Sequence, residues 1–302
     1  MSDLETQLVR RIRELSEPME PLPTELDPRL ETLDGLGTIL FDVYGTLFLS
    51  TSGDVSVARR TSDQTALARA LEDVGFSGDL EAAGRRGREL FYETIEEQHR
   101  RRRQQGVEHP EVDVRCVWRE VLDTLLADDL LKGTVTKATV LKTAVEYECR
   151  ASPVWPAPGL EETLTELRER GLMLGIISNA QFYTPLLFRA FLGARPAELG
   201  FREELCIWSW KLKEAKPSTR LYRRAASVLE RSHGLAPRQV LYVGNDMLND
   251  IWPAAQAGCK TALFAGDKRS LRLREDDARC AGLEPDLVLT GLHQLPHLVP
   301  VS

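Results

Sequence analysis

The chain has 302 residues, enough for about two domains at the usual 100–200 residues per domain. Its composition, with 42% hydrophobic and 28% charged residues, excludes a collagen-like, disordered or disulfide-scaffold protein. The 39 basic and 46 acidic residues give a net charge of −7, which argues against whole-chain attraction to nucleic acid or to an anionic membrane. This net charge does not exclude a small anionic substrate, because a local pocket can be positively charged in a chain that is negative overall.

The cysteines and the first residues of the chain indicate the cellular compartment of the protein. The cysteines are odd in number, widely spaced and without a CxxC pair, which indicates reduced thiols and neither a disulfide framework nor a zinc site. Met1–Arg13 carries charges and no apolar run, so we expect no secretory signal. We therefore expect a cytoplasmic protein that neither enters a membrane nor binds nucleic acid. The cysteines are Cys116, Cys149, Cys206, Cys259 and Cys280.

Residues 1–36 are predicted to form a helix followed by a linker. Apolar residues recur at helical spacing, and residues 18–28 contain four prolines, which are typical of an extended segment. We expect the amphipathic helix to dock on the protein body or on a second subunit, which leaves a homodimer open. The apolar residues are Leu4, Leu8, Val9, Ile12 and Leu15.

Residues 37–51 and 152–302 are predicted to form an α/β core around an all-helical insert at residues 52–151. Gly37–Phe41 indicates a buried strand, and the insert shows apolar residues at helical spacing without comparable strand-like alternation. After the insert, strands alternate with helices, which predicts a doubly wound, parallel, Rossmann-like sheet. The predicted strands are Leu172–Ile177, Leu205–Trp208, Val240–Val243, Thr261–Phe264 and Asp286–Leu289. The predicted helices are Leu160–Arg170, Pro185–Leu192, Pro217–Arg231 and Met247–Ala257.

Four polar segments follow predicted strands or begin a predicted helix. Taken alone, each would be an ordinary turn, helix cap or surface residue. In a doubly wound sheet, however, ligands bind outside the carboxyl ends of the strands, so the four segments together predict one site. They contain Asp42, Tyr44, Gly45 and Thr46, then Ser178 and Asn179, then Lys216, and then Asn245, Asp246 and Asp250.

The order of these segments resembles that of the haloacid dehalogenase-like hydrolase superfamily. The residues that carry the resemblance are FDVYGTL at 41–47, ISNA at 177–180, AKPS at 215–218 and VGNDMLND at 243–250. The helical insert lies between the first two motifs, where the helical-cap subgroup of that superfamily has its cap. The resemblance covers about residues 38–295 in organisation.

The resemblance implies a role for each matching residue. Asp42 would be the nucleophile, because an ionised carboxylate can form a covalent aspartyl intermediate that water then hydrolyses. Ser178, Asn179 and Lys216 would complete the catalytic group and stabilise the transferring group. Substrate binding would involve Tyr44, Gly45, Thr46, Ser178, Asn179 and Lys216. Mg²⁺ would be held by Asp42, the Tyr44 carbonyl, Asp246 and Asp250, since clustered carboxylates repel one another without a cation.

Two positions depart from the phosphatase pattern. Tyr44 stands where those phosphatases carry a second Asp that acts as general acid and base, and tyrosine, with a pKa of about 10, is a poor proton shuttle at neutral pH. The DxYGT form is similar to that of the 2-haloacid dehalogenases, whose halide leaving group needs no proton. Asn245 takes the usual place of an Asp, although Asp246 and Asp250 keep two carboxylates nearby.

The sequence therefore leaves several functions open. We expect a Mg²⁺-dependent phosphatase acting on a small, anionic phosphate monoester. The alternatives are a metal-independent 2-haloacid dehalogenase and a catalytically weak family member that acts as a binding module. The arginine run Arg100–Arg103 is interpreted as a solvated helix face, because no nucleic-acid-binding motif accompanies it.

Overall fold

The computed structural model describes residues 3–51 and 65–300, within which the chain forms ten strands and ten α-helices. The strands are β1 (Thr38–Phe41), β2 (Phe48–Ser50), β3 (Ser77–Gly78), β4 (Leu131–Lys132), β5 (Val154–Pro156), β6 (Met173–Ser178), β7 (Phe201–Trp208), β8 (Val240–Gly244), β9 (Lys260–Phe264) and β10 (Leu287–Leu289). The helices are α1 (Asp3–Leu15), α2 (Ala66–Val74), α3 (Leu80–Gln104), α4 (Val114–Ala127), α5 (Lys137–Ala151), α6 (Leu160–Glu169), α7 (Thr184–Leu192), α8 (Ser209–Leu212), α9 (Thr219–His233) and α10 (Trp252–Gln256).

Six strands form one parallel sheet in the order β10-β9-β8-β1-β6-β7, which confirms the predicted fold class. Strand β1 lies at its centre, and its side chains alternate between two hydrophobic cores. Ile39 and Phe41 belong to one core and Leu40 to the other, so both faces of the sheet are covered. Because β1 pairs with both β6 and β8, the residue after Phe41 lies beside the ends of two neighbouring strands.

The predicted helix at 247–257 differs most from the structure. Residues Met247–Ile251 form a π-helical turn, and the α-helix proper begins at Trp252. Pro253 has no N–H to donate to the carbonyl of Asn249, four residues earlier. That carbonyl instead accepts a hydrogen bond from the Tyr222 hydroxyl at 2.8 Å. The proline thus widens the turn and leaves a backbone acceptor that a neighbouring helix satisfies.

The segment between β2 and β5 contains helices α2 to α5. β2 and β5 pair antiparallel, so the chain leaves and rejoins the core at adjacent positions. The segment was predicted to be all-helical, but the structure also contains a short antiparallel strand pair, β3 with β4. The sequence did not indicate this pair, because strands of two residues are too short to show an alternating pattern. The cap boundaries at 52–151 stay a prediction, and residues 52–64 lie outside the described part of the chain.

Helix α1 docks against α5 and α7 through its buried residues Leu8, Val9 and Ile12. Arg11 contributes an ion pair to this contact. Its guanidinium pairs with Glu146, which is buried, and lies 2.7 Å from Asp73. Helix α1 therefore docks on the protein body, as predicted, through apolar contacts and through the ion pairs of Arg11.

Several other expectations concern surface and thiol chemistry. All five cysteines are free thiols. In the arginine run, Arg100 and Arg101 are exposed and both pair with Glu97, whereas Arg102 is half-buried and donates to the Lys213 carbonyl at 3.1 Å. Among the helices of residues 3–51 and 65–300, none has the length and apolar character needed to cross a membrane.

Replacing Arg11 by methionine should lower the free energy of unfolding by about 1–3 kcal/mol, because hydrogen bonds from a charged donor to buried Glu146 are lost. Urea denaturation followed by circular dichroism measures this. Arg10→Met is the matched control, since Arg10 is exposed and its contact to Glu14 is 3.5 Å long. Equal stability of the two variants would show that the Arg11 pairs do not hold α1 in place.

Candidate active site

The polar segments predicted to converge do meet at the carboxyl edge of the sheet. Asp42 follows β1, Asn179 follows β6, and Asp250 lies in the π-helical turn after β8. The ammonium of Lys216 lies 2.8 Å from Asp42 Oδ1 and 2.5 Å from Asp250 Oδ1. All three residues are at most 6% exposed, so this is a buried ion triad.

Asn179 holds the backbone of Lys216. Its Oδ1 accepts a hydrogen bond from the Lys216 N–H at 2.7 Å, and its Nδ2 donates to the Lys216 carbonyl at 3.4 Å. Ser178, the preceding residue, is fully buried at the end of β6. The SN pair of the second motif thus reaches the KP pair of the third, and the contacts of Asn179 are those of a positioning residue.

The charges of the triad stabilise one another. Burial alone would lower the pKa of Lys216, but Asp250 and Asp42 outweigh it and raise this pKa, so the lysine stays charged. Burial raises the pKa of Asp250 to about 7, and Lys216 opposes that rise. The Tyr242 hydroxyl lies 3.0 Å from Asp250 Oδ1. Buried charges of this kind are tolerated when they are paired and hydrogen-bonded.

Two glycines make room for the triad and for the loop that carries Asp42. A Cβ on Gly244 would lie 2.4 Å from the Asp250 carboxyl carbon, so β8 must end in glycine for Asp250 to reach the site. Gly45 has a φ of +81°, and a Cβ there would lie 2.7 Å from Asn245 Nδ2. The next residue, Thr46, donates to Asn245 Oδ1 at 3.3 Å. These contacts shape the loop after Asp42.

Tyr44 is held away from proton transfer. Its hydroxyl shares a hydrogen bond of 2.8 Å with Thr184. Burial raises its pKa above the ordinary tyrosine value, so the phenol stays protonated over the physiological range. The side chain in the place of the phosphatases' second Asp therefore supplies no acid–base group.

Asp246 is already engaged by the chain itself. Its Oδ1 accepts hydrogen bonds from the N–H groups of Leu248 and Asn249, and its Oδ2 lies 2.6 Å from the Arg274 guanidinium. Sequence reasoning missed Arg274, because it belongs to no motif and lies in an irregular segment. Tyr242 was missed too, because a single polar residue in a buried strand is typical of a residue that only packs in the core.

The predicted magnesium ligands do not fit a metal ion in this arrangement. Lys216 forms ion pairs with the carboxylates of Asp42 and Asp250, and Arg274 forms one with the carboxylate of Asp246. No three His, Cys, Asp or Glu side chains within residues 3–51 and 65–300 are grouped to hold a metal. Lys216 and Arg274 supply two positive charges beside these three carboxylates, where the sequence predicted a magnesium ion.

A cavity of about 370 Å³ lies next to the triad, between the helical insert and the ends of the strands. Tyr44, Asn179 and Lys216 line it on the core side. Helices α3, α4 and α5 contribute the opposite wall. The arrangement provides a buried carboxylate, an ammonium held by two ion pairs and an adjacent cavity large enough for a small organic molecule.

Comparisons with known proteins give a family and a fold. A family model for haloacid dehalogenase-like hydrolases matches residues 36–258. The fold is similar to that of a 2-haloacid dehalogenase from Pseudomonas syringae pv. tomato DC3000, with a TM-score of 0.54 and 20% identity over 87% of this chain and 97% of that one. A defluorinating L-2-haloacid dehalogenase gives a TM-score of 0.51 and 18% identity over 92% of this chain and 98% of that one.

A phosphoglycolate phosphatase predicted in Haemophilus somnus 129PT is also similar, with a TM-score of 0.46 and 19% identity over 87% of this chain and 98% of that one. No protein of curated function matches the sequence. At these identities the solved structures share the fold. The family match spans the central strand, the helical insert and all four motifs. The chain therefore belongs to the haloacid dehalogenase-like hydrolases.

Proposed function

We propose that this hydrolase cleaves a carbon–halogen bond without a metal ion, in the manner of a 2-haloacid dehalogenase. The observation that carries the proposal is the Lys216 ammonium, which lies between Asp42 and Asp250. With Arg274 paired to Asp246 as well, each carboxylate predicted to bind the metal has a cationic side chain as its partner. The two haloacid dehalogenase structures described above are similar in fold, with TM-scores of 0.54 and 0.51.

The surroundings of Tyr44 support a leaving group that needs no proton. An alkoxide leaving from a phosphate ester requires a general acid, and Tyr44, held protonated beside Thr184, does not act as one. A halide departs as a stable anion. The replacement of the second Asp by tyrosine is therefore compatible with displacement at carbon.

The reaction balances with water as the second reactant. A carboxylate oxygen of Asp42 attacks the carbon that bears the halogen, a carbon–oxygen bond forms, and the halide leaves with the bonding electrons. Water then attacks the carboxyl carbon of the resulting ester and releases the alcohol. The proton that water loses needs a base, and we assign this role to Asp250, whose carboxylate shares the Lys216 ammonium with Asp42.

The purified protein should release halide from 2-chloropropionate, and EDTA should leave the rate unchanged. Asp42→Asn should reduce the rate at least about a thousandfold, because an amide is not a nucleophile here. Halide release measured by ion chromatography, with and without EDTA, tests both statements. Millimolar Mg²⁺ should not shift the melting temperature.

Other outcomes would replace this function. Magnesium-dependent phosphate release from an aryl phosphate, with no halide release, would favour the phosphatase. Absence of both activities across a broad substrate panel would favour the binding module. Halide release by Asp42→Asn at the wild-type rate would contradict the assignment of the nucleophile.

Lys216→Met should destabilise the fold by about 3–5 kcal/mol, because it leaves two buried carboxylates without their cation. Adding Asp250→Asn to it should recover part of this loss, since one of the two charges is then removed. Urea denaturation of the single and double variants measures the difference. The control is Lys213→Met, whose lysine is more exposed and 3.5 Å from Asp113. A double variant no more stable than the single one would contradict the electrostatic account.

A further inference from the structure

A loop of the helical insert lies directly against the segment that carries Lys216. The loop connects α3 to α4, and it faces the loop that connects α8 to α9. The Ala215 N–H donates a hydrogen bond to the His109 carbonyl at 2.8 Å, and the Glu111 N–H donates one to the Lys213 carbonyl at 3.2 Å. Together they form a short antiparallel bridge between the two loops. The insert therefore holds the backbone immediately before Lys216.

The side chain of Glu111 extends this contact to the loop after β6. Its Oε2 accepts a hydrogen bond from Ser209 Oγ at 2.8 Å, and Ser209 Oγ accepts one from the Ala180 N–H at 2.9 Å. A hydroxyl has a single hydrogen to donate, and the Ala180 carbonyl, at 3.3 Å, is the more distant acceptor for it. Ser209 is fully buried, so these partners replace water. The chain of hydrogen bonds thus runs from the insert to the residue after Asn179.

Gln181 fixes the same loop of the insert from the core side. Its Nε2 donates to the Val112 carbonyl at 3.1 Å, and its Oε1 accepts from the Val114 N–H at 3.1 Å. Gln181 is two residues after Asn179 in the chain. The insert therefore contacts the core on both sides of the pair that Asn179 forms with Lys216.

We propose that Glu111 is a positioning residue that fixes the Asn179–Lys216 pair when the insert is closed on the core. Asn179 binds both the N–H and the carbonyl of Lys216, and the insert binds a backbone neighbour of each residue. These anchors restrict where the Lys216 ammonium can lie relative to Asp42. The inference rests on the proposed function in taking Lys216 and Asp42 as parts of the reacting site.

Glu111 acts through this chain of contacts, although it also lines the cavity. Both of its carboxyl oxygens are engaged by the protein, one by Ser209 Oγ and the other by the Val112 N–H at 2.9 Å. Lysine has a long flexible stem, so its ammonium keeps one place only if its backbone is fixed too. A displacement of about 1 Å at a reacting centre can reduce a rate about a hundredfold. Placement of Lys216 by the insert therefore has a direct consequence for the reaction.

Hydrogen exchange followed by mass spectrometry tests this placement without requiring turnover. In Glu111→Ala, peptides that cover Ala180 and Ala215 should exchange at least about fivefold faster than in the wild type, whereas peptides from β9 should keep their rates. Ser209→Ala should give the same increase at Ala180. The double variant should exchange no faster there than Ser209→Ala, because both changes act through one hydroxyl. Glu108→Ala is the matched control, since Glu108 lies in the same loop with 85% of its side chain exposed.

The kinetics of halide release separate positioning from contact with substrate. Glu111→Ala should lower kcat at least about fivefold and change KM less than about twofold, because a misplaced lysine affects the reacting complex more than binding. A raised KM with unchanged kcat would make Glu111 a substrate contact and overturn the proposal. Unchanged exchange at Ala180 and Ala215, or an equal increase throughout the sheet, would overturn it as well. Absence of halide release from the wild type would count against the proposed function alone, and the exchange rates would still decide the role of Glu111.

Discussion

The ion triad of Asp42, Lys216 and Asp250 is the interaction on which the rest of this structure depends. Each charge is almost wholly removed from water, and each is tolerable because the others are present. The three residues come from segments far apart in the chain, so the triad forms only when the parallel sheet brings their strand ends together. The same contact therefore stabilises the fold and holds Asp42, the proposed nucleophile, beside a permanent positive charge.

Charge compensation by side chains extends through the whole site. Arg274 pairs with Asp246, and Lys216 pairs with both of the other carboxylates, so each predicted magnesium ligand contacts a cationic side chain. Tyr44 is bound to Thr184 and stays protonated. The metal-independent reaction proposed above rests on these contacts.

The cavity wall depends on an element outside the family match, which begins at residue 36. Helix α1 packs on α5, and its Arg11 pairs with Glu146. The next two residues of α5, Tyr147 and Glu148, line the cavity. The N-terminal helix thus holds a helix that lines the cavity. This contact connects the stability of the N-terminal segment to the shape of the substrate site.

The sequence by itself determined the sheet, the helical insert and the convergence of Asp42, Asn179, Lys216 and Asp250. It could do so because apolar periodicity is local, and because parallel strands place their carboxyl ends at one edge. Only the tertiary structure decided what neutralises the carboxylates. The partners Arg274, Tyr242 and Thr184 lie outside the recognised motifs. The sequence of a carboxylate motif is the same whether a metal ion or an arginine side chain contacts it. The π-helical turn and the Glu148 side of the cavity were likewise decided by packing between distant elements, which no local pattern records.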